Sequence, residues 1–262
     1  MGSAASLAFR VASVSYLNSK PLIYGLDRNP GIEVSLQVPA RLIDGLQRGQ
    51  SDIALLPTID YQRHDGLAIV PVGGIGCDGP TLTVRLFSKR PIDQTKIVAC
   101  DPESHTSVAL ARIIFAEHFG LHPEFTNLHR APGETRLLIG DKVVCEEPAG
   151  FDHQLDLGSA WKEMTGMPFV FAVWVARTSA ILGYLPSKLE QAKREGLAHI
   201  DELVRQYAVP RGWPPDLARQ YLTTNLKYDI GEAQIRAIEH FHELAARHDL
   251  ISSPARPLRI YR

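Results

Sequence analysis

Apolar positions alternate with polar ones in short bursts early in the chain, and stretches of helical spacing lie between the bursts. Residues Val11 to Val14 read as a strand that ends in the polar turn Ser15-Tyr16-Leu17-Asn18, and Pro21 is placed for the first turn of a helix starting near Lys20. Gly31 to Val38 alternates as a half-buried strand does. Pro39 then opens a helix over 40–48, with Leu42, Ile43 and Leu46 on one face and Gly49 as its stop. Ser51 to Thr58 follows as a short buried strand. Strand, helix, strand at this spacing predicts a parallel βαβ unit.

Further on, Ile69–Val72 and Thr83–Ser88 read as two strands separated by the glycine-rich run 73–80. A glycine-rich loop cradles phosphate when a helix follows and offers its free amides; a strand follows here, so the run predicts a hairpin or mobile loop. Lys89 to Ile92 is read as a crossing into a second unit. There Ile97–Cys100 forms a strand, and Ser107 to Phe119 a helix with Val108, Ala111, Ile114 and Phe115 buried and Gly120 as its stop. An apolar strand over 137–139 ends in Gly140-Asp141, and Phe151 to Asp156 reads as a linker containing His153. A short helix stopped at Gly166 and a buried strand carrying Trp174 come next, with Val175 to Arg177 as the return crossing. From Pro186 onward the pattern is helical, ending in a helix over 232–247 whose stripe is Ile235, Ile238, Phe241 and Leu244. These helices are expected to pack back on the first unit, giving a discontinuous lobe of 8–90 and 178–262 around a lobe of 91–177.

A chain of 262 residues exceeds the usual size of one compact core, which fits that division. A formal net charge of −1 argues against a general nucleic-acid surface, so an anionic ligand must be met by local groups. Cys77, Cys100 and Cys145 are odd in number and widely spaced, and suggest reduced thiols rather than a disulfide framework or zinc site. Met1 to Ser6 fits the loose pattern for myristoylation, which small residues satisfy as readily in a flexible lead-in. No secretory signal pattern and no apolar run long enough to span a bilayer is present, and a cytoplasmic protein with no membrane partner is expected.

The chemistry concentrates at one predicted sheet edge. Asn18 follows a buried strand, where open α/β sheets place ligands; it reads equally as a ligand-holding side chain or as the cap of the next helix. Tyr16 stands beside it. Thr58 follows a second strand at the same edge, as a hydroxyl donor to a carboxylate or as a helix cap. Thr106 and Ser107, with the first amides of the helix they open, form an anion site that needs no lysine. Gly140 allows close backbone approach, and Asp141 is placed to orient its neighbours. His240 and His242 point in different directions on a helix, and no metal-ligand spacing, nucleophile elbow or dinucleotide fingerprint stands out. What remains is a cleft of neutral polar groups, Asn18, Thr58, Thr83, Thr106 and Ser107.

The wording Ser-Tyr-Leu-Asn-Ser-Lys-Pro-Leu over 15–22 resembles the opening of the chorismate dehydratase family of the futalosine route to menaquinone. The likeness continues through the Ser-x-Thr-Ser-Val of 104–108 with His105 at the variable position, Gly140-Asp141, and the long stretch 156–174, while helix, glycine, then Asp-Ile-Ala-Leu at 52–55 resembles what binding proteins of the second type place beside their ligand cleft. It implies a two-lobed, periplasmic-binding-protein-like α/β fold of the second type with its ligand cleft between the lobes. It further implies loss of water from chorismate, giving 3-[(1-carboxyvinyl)oxy]benzoate without metal or cofactor. The family's key Asn falls on Asn18 and a substrate-holding Ser on Thr83, so Asn18 and Thr83 are the expected catalytic pair; Tyr16, Thr58, Thr106, Ser107 and Asp141 are the expected substrate-binding set. Asn is a poor base, and the substrate's enolpyruvyl carboxylate is expected to take the proton while Asn18 positions it. A non-catalytic binding protein of the same fold is the alternative. The sister enzyme that cleaves cyclic dehypoxanthinylfutalosine stands third, because its opening turn differs.

Overall fold

The computed structural model describes residues 8–101, 104–128, 133–146 and 148–261. The amino-terminal segment considered for myristoylation lies outside them, as do Pro102 and Glu103, which precede the expected anion site in sequence. Two mixed sheets carry the fold. The first contains β1 (Phe9–Val14), β2 (Ile32–Gln37), β3 (Ile53–Pro57) and β4 (Leu67–Cys77), with helices α1 (Pro39–Gln47) and α2 (Thr58–Arg63) between them. The second contains β5 (Val84–Ser88), β6 (Ile97–Cys100), β7 (Glu124–Asn127), β8 (Thr135–Ile139) and β9 (His153–Asp156), with α3 (Thr106–Phe119), α4 (Lys142–Cys145) and α5 (Leu157–Thr165). The chain returns to the first sheet as β10 (Phe169–Arg177). It continues through α6 (Leu185–Ala198), α7 (Ile200–Leu203), α8 (Pro215–Gln220), the short β11 (Leu226–Lys227) and α9 (Glu232–Arg247).

Strand order is β11-β4-β10-β3-β1-β2 in the first sheet and β7-β6-β8-β5-β9 in the second. The expected βαβ unit is present: β1 lies between β2 and β3 and runs parallel to both, with Val11 opposite Val34 on one side and Ile53 on the other. Both βα units of the first sheet therefore deliver their carboxyl ends to one edge, where ligands bind in such sheets.

Four local expectations are corrected. The glycine-rich run is not a loop, because β4 continues through Gly73, Gly74 and Gly76 to Cys77. A Cβ on Gly74 would stand 2.7 Å from the Ala172 carbonyl oxygen, and one on Gly76 2.6 Å from that of Phe169, so glycine lets β4 lie against the irregular β10. Residues 153–156 are a strand paired with β5 rather than linker. The strand over 84–88 belongs to the second sheet and that over 169–177 to the first, so the chain passes between sheets at 78–83 and at 166–168. Finally, α9 packs on α2, α3 and β10 rather than on the first sheet's elements alone. Its Phe241 meets Phe169 edge-on at 5.1 Å and Trp161 at 6.2 Å, joining the lobes through fully buried aromatic rings.

Candidate active site

The turn after β1 is a 3-10 helix over Leu17–Ile23, not a helix opening at Lys20, and Pro21 sits inside it. Asn18 is its second residue. The cap position belongs to Tyr16, which makes no side-chain cap, so a capping role does not explain Asn18. The buried Ser19 hydroxyl lies 2.7 Å from the Val14 carbonyl and 3.0 Å from that of Tyr16, closing the turn. From the other lobe Asp141 accepts the Leu17 amide at 3.4 Å and faces Arg211 Nε at 3.5 Å, while Arg211 Nη2 reaches the Ser15 carbonyl at 3.3 Å. Gly140 adopts a left-handed φ of +69°, and a Cβ there would stand 3.1 Å from the Tyr16 ring, so glycine serves both the turn and the close approach.

Between the sheets lies a cavity of about 80 Å³. Val14, Leu55, Pro57, Ile75, Ile139 and Phe171 give it apolar walls, and Tyr16, Asn18, Ser104, His105, Thr106 and Ser107 give it polar groups. A larger hollow of about 240 Å³, bordered by Lys20, Tyr24, Arg28 and Tyr207, lies outside this cleft and shares no lining residue with it.

Asn18 hydrogen-bonds the phenol of Tyr221, and Thr83 Oγ1 lies 2.7 Å from the same oxygen. Burial pushes the Tyr221 phenol above its ordinary range, against the pull of those two bonds, so it remains a neutral hydroxyl. Asn18 Oδ1 and Ser104 Oγ are buried and have no partner among the described residues. Two orphaned polar atoms at one cleft call for a ligand, because buried polar groups ordinarily find partners. Ser107 is buried and its hydroxyl makes no hydrogen bond among the described residues, whereas Thr106 Oγ1 accepts the Ile59 amide at 3.4 Å.

Tyr16, Asn18, Thr106 and Ser107 thus line one cavity. Thr83 stands one step behind them, acting on Asn18 only through Tyr221. Two expected binding residues are placed differently. Thr58 spends its hydroxyl proton on the Val170 carbonyl at 2.7 Å, and its own carbonyl accepts His242 Nε2 at 3.0 Å. His242 Nδ1 faces the Gln62 amide, and burial lowers the imidazole to about 4, which keeps it neutral in this role. Asp141 does not line the cavity; it braces the Asn18 turn, and burial pushes its carboxyl up against the opposing pull of Arg211. His153 lies at the start of β9 and not at the cleft.

Sequence reasoning missed Tyr221, Asp60 and the part of His105. The imidazole lines the cavity, with Nδ1 2.8 Å and 3.0 Å from the two carboxylate oxygens of the buried Asp60. Asp60 also faces Arg63 at 3.5 Å. Among the described residues no group of three His, Cys, Asp or Glu side chains is arranged to hold a metal, and no helix is long and apolar enough to cross a membrane.

A family model described as menaquinone biosynthesis matches residues 9–247. The chorismate dehydratase of Thermus thermophilus is 31% identical over 254 residues, covering 87% of this chain and 92% of its own. That of Campylobacter jejuni is 25% identical over 232 residues, covering 86% and 88%. Among solved structures, a protein of Archaeoglobus fulgidus superposes with a TM-score of 0.73 at 17% identity, covering 94% of this chain and all of its own. The alkanesulfonate-binding protein of Xanthomonas axonopodis, bound to MOPS, gives 0.70 at 12% identity, covering 95% and 96%. At those identities the structural likeness establishes the fold, which is that of periplasmic binding proteins.

Proposed function

The chain belongs to the menaquinone biosynthesis family, and from that premise we propose that it is a chorismate dehydratase working through the Asn18 cleft. The reaction is a carbon-oxygen lyase step: the ring C–H bond next to the hydroxyl-bearing carbon breaks, hydroxide leaves as water, and the ring becomes aromatic as 3-[(1-carboxyvinyl)oxy]benzoate. Aromatisation supplies the driving force, so the enzyme's task is to hold one conformation in which the enolpyruvyl carboxylate reaches the proton.

The observation that carries this reading is the carboxamide of Asn18, at the cleft and anchored from behind by Tyr221. The Asn18 amide donates one N–H to the Tyr221 phenol and leaves Oδ1 without a partner among the described residues, and its second N–H is the donor to the substrate carboxylate, preorganised and needing no proton transfer of its own. Ser104 and Ser107 add neutral donors beside it, and Thr83 holds Tyr221 in place. The 80 Å³ cavity is well below the ~300 Å³ of typical ligand sites, so the lobes part to admit substrate. The donor set is one of amides and hydroxyls, suited to carboxylates rather than to a metal, and the reaction is proposed to need no cofactor. Purified protein incubated with chorismate in excess chelator should yield a product lighter by one water. Unchanged chorismate, or turnover restored only by added zinc or magnesium, refutes the reading.

A further inference from the structure

A doubly anionic substrate enters a cleft whose described lining contains one side chain able to carry positive charge, that of His105. The nearest alternatives are committed elsewhere. Arg211 faces Asp141 and the Ser15 and Tyr207 carbonyls, and Lys20 lies over the Tyr207 ring at 5.0 Å and borders the outer hollow. His105 itself is built in. Asp60 is 1% exposed, and its carboxylate can only accept, so the imidazole's proton-bearing Nδ1 is fixed toward it. Nε2 has no hydrogen-bond partner among the described residues, and His105 stands between Ser104 and Thr106, both of which line the same cavity.

We propose that His105, clamped through Nδ1 by Asp60, is a further substrate-binding residue whose Nε2–H meets one carboxylate of the dianion. The proposal rests on the dehydratase reading and deepens it. Its physical content is a change of sign at one atom. Protonated, Nε2 donates a charge-assisted hydrogen bond to the carboxylate; deprotonated, with Nδ1–H still held by Asp60, it turns a lone pair toward that same oxygen. Binding therefore weakens as the imidazole loses its proton. The charged groups that face it are Asp60 and, behind Asp60, Arg63, both from α2; the described first turn of α3 contributes none.

The same contact ties α2 of one lobe to the start of α3 in the other, and a purely architectural tie would not make substrate binding follow imidazole charge. The test is KM for chorismate across pH 5.5–8.5 in wild type, His105→Gln and His105→Arg, each with a thermal melt. Wild-type KM should rise with pH. His105→Gln should show a KM roughly 10- to 100-fold above the wild-type acid value, flat with pH, and a kcat within about threefold. His105→Arg, a permanent cation, should restore much of the binding and also be flat. A His105→Gln enzyme that keeps the wild-type KM and its pH dependence overturns the proposal. So does an arginine variant that binds no better than the glutamine variant while melting as wild type does. If wild type leaves chorismate unchanged, the dehydratase reading falls separately. The pH series is then run as calorimetric binding of isophthalate, a rigid aromatic dianion, and binding that is absent, or unaltered in His105→Gln, overturns the clamp.

Discussion

Asn18→Ala separates catalysis from stability sharply. Asn18 is not a helix cap, its Oδ1 has no partner, and its carboxamide bonds one neutral phenol. Removing it should therefore forfeit about 1 kcal/mol of folding stability. For a 262-residue chain, unfolding entropy of about 2.1 cal/mol/K per residue converts that to a melting shift of about 2 °C. Loss of a preorganised donor to the reacting carboxylate should instead lower kcat by roughly 10²-fold, about 2.7 kcal/mol in the transition state, with a smaller effect on KM. Asn18→Asp should be no better, because a second carboxylate beside Tyr221 repels the substrate's own and has no counter-ion in the described lining except His105. Steady-state kinetics on chorismate and a thermal melt of both variants make the measurement. An Asp variant of normal activity, or an Ala variant whose loss of turnover is matched by gross destabilisation, refutes the assignment.

Tyr221→Phe strips both Asn18 and the buried Thr83 of their shared partner, so it should cost about 1–3 kcal/mol in urea melts and lower kcat while leaving KM near wild type. Unchanged kcat would detach Tyr221 from the site. Lys20 is buried, and desolvation, aided by Arg211, lowers its ammonium from 10.5 to about 8. That penalty is fully present below pH 8 and fades as pH rises toward 10.5, so Lys20→Met should stabilise the fold at pH 7 by on the order of 3 kcal/mol, with no gain above pH 10.5. A destabilised Met variant at pH 7 would contradict it. His242 runs in the acid direction. Held neutral by burial at about 4, it should remove on the order of 3 kcal/mol of stability as pH falls from 6.5 to 4, a slope that His242→Gln should flatten in denaturant titrations.

Local order was legible where one residue decides the backbone. Gly120 and Gly166 end α3 and α5 in left-handed conformations as the pattern predicts, and the alternation over 31–38 yields β2. Sheet membership was not, because an apolar run such as 84–88 or 169–177 is buried equally well in either sheet and only long-range pairing decides. The glycines of β4 looked like a loop for the same reason. Their meaning lies in the carbonyls of β10, nearly a hundred residues away, roughly the separation at which local propensity is silent.

The site divides along the same line. Residues that sit at strand ends or helix starts, Asn18, Thr106 and Ser107, could be read from position, since topology brings such ends to one edge. Those whose part depends on a partner could not. Thr58 occupies the right edge, yet its hydroxyl is consumed by the Val170 carbonyl 112 residues on. Thr83 gains its influence only through Tyr221, 138 residues away, on a helical stretch whose spacing marks Tyr221 as one more buried aromatic. His105 and Asp60, 45 residues apart, meet across the lobes. A hydroxyl whose proton is committed to backbone cannot donate to substrate, whereas a carboxamide with one N–H on Tyr221 keeps a second N–H to give. That difference in unspent donor capacity, rather than residue type, selects Asn18 over Thr58 as the group that meets the reacting carboxylate.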